Sequence, residues 1–188
     1  MPKKILQQGE KVLRKVAVEI PIAQIKTPKI KKILKEMSEA LKSQDDGVAI
    51  AAPQIGYSLR IFVVSGKIFA EGFARRNEEE VIPPPDLPLH KGEEENIIPK
   101  DIVFINPKIS KLSRDKEWLP EGCLSVRPLY GKTYRSKKAT VTAYDENGKK
   151  FIRGASGLLA QIFQHETDHL DGILFIDHAK DVKEEVIK

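Results

Sequence analysis

The sequence predicts an α+β fold, with mostly antiparallel sheets packed around a central helix. Two segments carry apolar residues at helical spacing, and several short runs are either continuously apolar or alternate polar and apolar residues, as strands do. Along the chain the order is helix, strands, a long loop, more strands and a final helix. The length of 188 residues predicts one domain that spans the whole chain.

The first helix is predicted from residue 28 to about residue 44. Thr27 is suited to cap its N-terminus, and Pro28 is suited to its first position. Apolar residues then recur every three or four positions and predict a face buried in the core: Ile30, Ile33, Leu34, Met37 and Leu41. A turn-forming run at residues 45–47 ends the helix, and the small apolar residues 47–54 follow as an extended segment.

Strands are predicted from short runs in the middle of the chain. They cover residues 60–65, 102–106, 139–145 and 150–153, the last two joined by a hairpin turn at Asn147 and Gly148. A second helix is predicted from Gly157 to Leu170, with Leu158, Leu159, Ile162 and Phe163 on its apolar side. This is the central helix of the predicted fold.

Residues 67–100 differ in composition from the rest of the chain. They hold five of the twelve prolines and two runs of three glutamates, which predicts a surface insertion. They also carry eight acidic and five basic side chains, so this segment has a net charge of −3 and the rest of the chain a net charge of +8. That basic remainder suggests a transient contact with ribosomal RNA.

Composition also limits the expected compartment and partners. A single cysteine excludes an internal disulfide, and the N-terminus lacks the apolar stretch of a signal peptide. No apolar run approaches the roughly 18 residues of a membrane helix. We therefore expect a cytoplasmic monomer or weak dimer that binds neither DNA nor a membrane.

The strongest chemical signal is the run His-Glu-Thr-Asp-His at residues 165–169, within the second predicted helix. Two histidines four positions apart lie on one helical face, so both imidazoles can reach one metal ion. Glu166 then lies near the open position of the metal, where a general base is needed. The alternative is two surface histidines on an ordinary helix, but the apolar neighbours of the run argue against full exposure.

A catalytic metal site of this type needs a third protein ligand. Phe175 stands where one known extension of the motif has a third histidine, and the only downstream glutamates are Glu184 and Glu185 at the end of the chain. The third ligand should therefore lie upstream. Cys123 is a candidate because a thiolate and two imidazoles make a plausible three-ligand site, although a lone cysteine is often only a small buried apolar residue.

Three segments together resemble the signature motifs of the peptide deformylases. They are Gly-Val-Ala-Ile-Ala-Ala-Pro-Gln at residues 47–54, Glu-Gly-Cys-Leu-Ser at residues 121–125, and the run at residues 165–169, in the order of the family. The resemblance extends from about residue 4 to about residue 178, interrupted by residues 67–100. It implies a hydrolase that removes the formyl group from the N-terminal formyl-methionine of newly made polypeptides and releases formate.

The resemblance also implies catalytic roles for individual residues. The ligands of one divalent metal ion would be Cys123, His165 and His169. The family favours ferrous iron, while zinc, nickel or cobalt would suit the same ligands. Glu166 would act as general base and then general acid, and the oxyanion would be stabilised by the Gln54 side chain and the Leu124 backbone N–H.

Substrate-binding roles are implied as well. The methionine pocket would be lined by Val48, Leu158 and Ile162, for which a plain core role is an equal alternative. The backbone of Ala49 would bind the extended substrate, and Glu121 would support the second motif, with Arg135 as its suggested partner. Ala49 replaces a usual glycine and could crowd the substrate or need an unusual backbone angle. Arg127 replaces a common proline and suggests a charged pocket rim.

Two other functions remain open from the sequence. One is a non-catalytic, metal-stabilised module that binds N-termini or the ribosome, suggested by Ala49 and by the insertion at residues 67–100. The presence of Glu166 argues against it. The other is a general metalloprotease. The absence of a third metal ligand downstream of His169 argues against it.

Overall fold

A computed structural model of the chain describes residues 1–70 and 99–185. Its helices and strands, in chain order, are α1 (Pro28–Lys42), β1 (Ala49–Ala51), β2 (Ile61–Val64), β3 (Ile102–Leu112), β4 (Lys116–Gly122), β5 (Leu129–Ser136), β6 (Lys138–Tyr144), β7 (Lys150–Ser156), α2 (Gly157–Leu170) and β8 (Lys180–Glu184). Most of the predicted insertion, residues 71–98, lies outside the described residues.

The eight strands form two antiparallel sheets. The larger sheet has the order β1-β2-β3-β6-β7, and the smaller has the order β4-β5-β8. Helix α2 packs against strands of both sheets, so the predicted α+β architecture around a central helix is confirmed. Within the described residues, neither helix is long and apolar enough to cross a membrane.

Aromatic packing fixes α2 on the larger sheet. The rings of Phe62 and Phe104, on neighbouring strands, stack with centroids 4.5 Å apart. The ring of Phe163 from α2 meets Phe104 edge-on at 5.2 Å, and all three side chains are fully buried. Large buried rings contribute strongly to core stability, so the helix that carries residues 165–169 is held firmly in place.

Helix α1 packs on strands β1 and β2 of the larger sheet. Its predicted apolar residues Ile30, Ile33, Leu34, Met37 and Leu41 are all buried. Thr27 is the N-cap residue, as predicted, but its side chain makes no capping hydrogen bond. Its hydroxyl instead donates to the carbonyl of Gln24 at 2.7 Å, within the turn that precedes the helix.

The predicted strands are present, but three further strands were not predicted. The strand predicted at residues 102–106 continues to Leu112, and the one predicted at residues 150–153 continues to Ser156. The whole smaller sheet was missed, because its strands carry the Lys, Glu, Pro and Gly residues that are depleted in strands. The extended segment predicted at residues 47–54 is a strand only over Ala49–Ala51, after which Ala52–Ile55 form a 3-10 helix.

Candidate active site

The three predicted metal ligands meet where α2 passes the end of β4. His165 and His169 lie one turn apart on α2, with ring centroids separated by 4.9 Å, and Cys123 directly follows β4. Cys123 Sγ lies 3.1 Å from His169 Nε2. One ligand atom from each of the three residues lies within 4.8 Å of the others. The structure therefore brings these side chains together at one buried point.

Glu121 lies behind His165 with both carboxylate oxygens engaged by the protein. Its Oε1 lies 2.7 Å from His165 Nδ1 and accepts a hydrogen bond from Arg135 Nη2 at 2.7 Å. Its Oε2 accepts from Thr133 Oγ1 at 2.6 Å and from Arg135 Nε at 3.0 Å. The suggested pairing with Arg135 is confirmed. Glu121 also lines the cavity, and its assignment to substrate binding stays a prediction.

Asp168 is a second carboxylate that pairs with Arg135. Arg135 Nη1 donates to Asp168 Oδ2 at 2.6 Å, so the guanidinium bridges Glu121 and Asp168. The side chains of Arg135 and Glu121 are only 7% and 4% exposed. Buried charges are costly unless they are paired, and here two carboxylates and the ligand His165 surround one arginine. The network holds the ring of His165 in a fixed orientation.

The electrostatics favour a positive charge on His165 and a neutral imidazole at His169. Burial alone would lower the pKa of His165, but the Glu121 carboxylate and the Cys123 sulfur raise it well above its ordinary value. Burial would raise the pKa of Glu121, yet His165 and Arg135 hold it far below its usual range. Burial lowers the pKa of His169 well below its usual value and keeps that imidazole neutral, as a metal ligand must be.

This donor set fits a divalent metal ion. One sulfur and two imidazole nitrogens form a three-ligand set that leaves a fourth position open for water or substrate. Because Glu121 holds Nδ1 of His165, the opposite nitrogen, Nε2, would be the one to bind a metal ion, and such carboxylate partners orient ligating histidines. The ligand set does not select one metal, since zinc and several transition metals accept it.

Glu166 lies in the cavity wall beside these ligands. Its side chain is buried, and its Oε2 has no hydrogen-bond partner in the described part of the chain. Burial raises the pKa of Glu166 to about 7, although nearby His165 opposes the shift. A carboxylate that titrates near neutrality and has an unpaired oxygen is well suited to accept and return a proton.

Two hydrogen-bond donors flank the same point. Gln54 Nε2 lies 3.6 Å from Cys123 Sγ and 3.1 Å from Ser125 Oγ, while its Oε1 accepts from the Ala51 N–H at 2.8 Å. This bond anchors the side-chain amide with its nitrogen toward the ligands. The Leu124 N–H donates no hydrogen bond to the described residues, and Leu124 lines the cavity. Both donors can serve a negatively charged oxygen.

Among the described strands, β1 lies at the edge of its sheet, and its open edge lies along the cavity. Its other edge pairs with β2, where the carbonyl of Val48 accepts from the Ser65 N–H at 2.8 Å. Since backbone groups alternate in direction along an antiparallel strand, the N–H and C=O of Ala49 point to the open edge. Ala49 has no positive φ, so the expected backbone strain is absent. Its buried methyl group packs in the core at the cavity wall.

The cavity itself has a volume of about 310 Å³. The residues predicted for the methionine pocket, Val48, Leu158 and Ile162, all line it together with Glu166. Arg127 also lines it and forms an ion pair with Asp46, so the rim is charged as expected. The cavity can therefore accept an apolar side chain close to the metal ligands.

Sequence reasoning missed several residues around the site. Thr133, Gln161 and Asp168 complete the contacts of Glu121 and Arg135, and Asp46 closes the rim. Asp168 stands inside the run at residues 165–169, so its position was a usable signal. The others lie in segments without a pattern that marks them, and only the fold brings them to the site.

A model of the polypeptide deformylase family matches residues 2–185. The chain belongs to this family. Peptide deformylase 2 of Clostridium acetobutylicum is 36% identical over 169 residues, covering 89% of each chain. Peptide deformylase 1A, chloroplastic, of Solanum lycopersicum is 35% identical over 173 residues, which span 92% of this chain but only 58% of the tomato protein.

A solved structure supports the same relationship. A class I type b peptide deformylase from Acinetobacter baumannii, with Met-Ala-Ser bound, matches this chain with a TM-score of 0.73 at 26% identity. The match covers 95% of this chain and 98% of that one. Together these relatives support a deformylase enzyme that acts on N-formylmethionyl peptides, and not a non-catalytic binding module.

Proposed function

We propose that this chain removes the formyl group from the N-terminal formyl-methionine of new polypeptides, with one metal ion held by Cys123, His165 and His169. The observation that carries the proposal is Glu166, which is buried beside three convergent ligands and whose Oε2 has no hydrogen-bond partner among the described residues. A purely structural metal site has no use for such a carboxylate, and its burial costs stability.

Glu166 carries out the proton transfers. Its carboxylate takes a proton from the attacking water and later returns it to the methionine nitrogen as the bond to the formyl carbon breaks. The products are formate and a peptide with a free N-terminus. A divalent metal ion, when bound, supplies Lewis acidity, which lowers the pKa of water and polarises the formyl carbonyl.

Other residues position the substrate and stabilise charge. Gln54 Nε2 and the Leu124 N–H donate to the formyl oxygen as it becomes negative. The open edge of β1 binds the extended peptide backbone through the N–H and C=O of Ala49, as in strand addition. Val48 and the α2 residues Leu158 and Ile162 enclose the methionine side chain.

Ferrous iron is the metal we propose for the protein in the cell, with zinc, nickel or cobalt able to occupy the same ligands. Loss of iron would follow oxidation of the metal or of the Cys123 sulfur. Metal analysis of protein purified without oxygen, combined with activity before and after exposure to air, tests this choice. Equal activity of the iron and zinc forms in air would contradict it.

We also infer a cytoplasmic enzyme that contacts the ribosome transiently, as a monomer or weak dimer. The support is the basic charge outside residues 67–100 and a substrate that emerges from the ribosome. Co-sedimentation with ribosomes should weaken steeply as salt rises, because phosphate contacts release counterions. Binding that does not depend on salt would contradict this inference.

Formate release from a formyl-Met-Ala peptide tests the proposed activity. The metal-loaded protein should release formate, whereas Glu166→Ala should lose activity by several orders of magnitude while keeping its metal. Glu39→Gln, on the exposed face of α1, is a matched control that should keep full activity. Full activity of Glu166→Ala would contradict the assigned role. Casein hydrolysis, assayed in parallel, should be absent and would otherwise favour a general protease.

A further inference from the structure

The cavity contains one charged pair that the proposed chemistry does not use. Arg127 Nη2 donates to Asp46 Oδ1, and both side chains line the same cavity as the metal ligands. Asp46 lies between α1 and β1, while Arg127 follows Cys123 in the loop before β5. The pair therefore connects two opposite walls of the cavity. The two side chains remain 33% and 43% exposed, for Arg127 and Asp46 respectively, so a ligand can reach them.

The polarity of β1 defines which part of a peptide reaches this pair. Gln54, just beyond the C-terminal end of β1, lies beside the metal ligand Cys123. The formyl end of a substrate must therefore lie at that end of the strand. A peptide on the open edge then runs antiparallel to β1, past Ala49 and toward Asp46. The side chains that follow the methionine consequently approach the Asp46–Arg127 pair.

Arg127 retains hydrogen-bonding capacity for a second carboxylate. A guanidinium has five N–H donors, and the bond to Asp46 is the one that Arg127 makes within the described residues. Planar guanidinium groups bind carboxylates well, frequently through two parallel bonds. Asp46 holds Arg127 at the cavity wall but also partly cancels its charge. Arg127 is thus a positioned hydrogen-bond donor, and the negative charge of Asp46 weakens its attraction for a second carboxylate.

We propose that Arg127, held by Asp46, determines specificity by favouring formylated peptides with an acidic side chain soon after the methionine. This inference rests on the proposed function, since it concerns the substrate of the same cavity. An acidic side chain at the second or third residue shares the guanidinium with Asp46. A basic side chain is repelled by Arg127 and can pair with Asp46 only by displacing that guanidinium, so it is disfavoured.

The test compares kcat/KM for peptides that differ in one side chain. Formyl-Met-Glu-Ala and formyl-Met-Ala-Glu, both amidated at the C-terminus, are compared with the matching Gln and Lys peptides. We expect at least one position to show a preference for Glu over Gln of roughly three- to five-fold, with Lys below Gln, as suits a partly exposed charge pair. The difference should lie mainly in KM, because the pair is assigned to binding the side chains that follow the methionine and takes no part in the proton transfers.

Two variants separate the contributions of the pair. Arg127→Gln should abolish the Glu preference, while Asp46→Asn should increase it to about ten-fold because a competing carboxylate is removed. Each ratio is taken within one variant, so a general loss of activity cancels. Arg114→Gln, an exposed arginine outside the cavity, matches the change in net charge and should keep the wild-type ratio.

The outcomes distinguish this inference from the proposed function. Equal kcat/KM for Glu and Gln peptides at both positions, or an unchanged ratio in Arg127→Gln, would overturn it while deformylation itself stood. Loss of the Glu preference in Arg114→Gln would also overturn it, because the effect would then come from overall charge. Absence of formate release from every peptide would instead refute the proposed function.

Discussion

Burial of Glu166 makes a sharp prediction about stability and pH in the metal-free protein. The pKa of this carboxyl is raised from 4.5 to about 7 by burial. Below pH 4.5 it is protonated in both the folded and the unfolded chain, so its ionisation does not lower the free energy of unfolding. Between pH 4.5 and 7 the unfolded chain ionises while the folded protein stays protonated, so stability falls as the pH rises. Above pH 7 the carboxyl is ionised in both states, and the free energy of unfolding falls no further on its account.

The size of the effect follows from the shift. A carboxyl pKa raised from 4.5 to about 7 corresponds to about 3 kcal/mol, since each pKa unit is worth about 1.4 kcal/mol. Glu166→Gln, which mimics the protonated form at every pH, should therefore be more stable than wild type by about 3 kcal/mol at pH 8. The difference should shrink to near zero at pH 4.5.

Denaturant unfolding of both proteins, stripped of metal and kept reduced, measures this difference across pH 4.5–9. Contributions from other groups that titrate equally in both proteins cancel in the comparison. Glu39→Gln, in an exposed helical pair with Lys35, should change stability by less than about 0.5 kcal/mol and show no such step. A difference between wild type and Glu166→Gln that is constant across the range would refute the reasoning.

The remaining predictions concern the support of the site and its oxyanion donors. Arg135→Met should destabilise the protein by about 3–5 kcal/mol in denaturant unfolding, because Glu121 and Asp168 lose their shared cation; a loss below 1 kcal/mol would argue against this role. Glu121→Gln should weaken metal binding by about 10–100-fold in a competition with a chelator, since His165 loses its orienting partner, and unchanged affinity would count against it. Gln54→Leu should lower kcat about 100-fold or more with the metal content unchanged, as is typical when an oxyanion donor is removed; wild-type kcat would exclude Gln54 from the oxyanion site. Ala49→Gly should reduce stability by about 1 kcal/mol in unfolding experiments without improving KM, because the side chain of Ala49 packs in the core. A clearly lower KM would show that the methyl does crowd the peptide.

The spacing of apolar residues predicted both helices of the fold. Helix α2 begins and ends where the apolar spacing placed it, and the buried face of α1 follows its pattern. The smaller sheet escaped prediction because its strands are rich in Lys, Glu, Pro and Gly and show neither a continuous nor an alternating apolar pattern. Trp118, for example, lies opposite Tyr134, and both remain exposed, so neither strand shows a clean apolar face.

The same distinction applies to the site. The ligand run and Cys123 were found because metal chemistry restricts residue types and spacing. The partners of Glu121 beyond Arg135 depend on where β5 and α2 place Thr133 and Gln161, which no local spacing reveals. The opposing sides of the rim, at Asp46 and Arg127, are 81 residues apart in the chain and meet only through the fold.

The central claim is that one metal ion bound by Cys123, His165 and His169 makes this chain a deformylase. Formate release from formyl-Met-Ala should be measured while metal-free, reduced protein is titrated with ferrous iron in the absence of oxygen. Activity should rise linearly and break sharply at one metal ion per chain, and His169→Ala should show neither the break nor the activity. Full activity before metal is added, or undiminished activity in His169→Ala, would contradict the account.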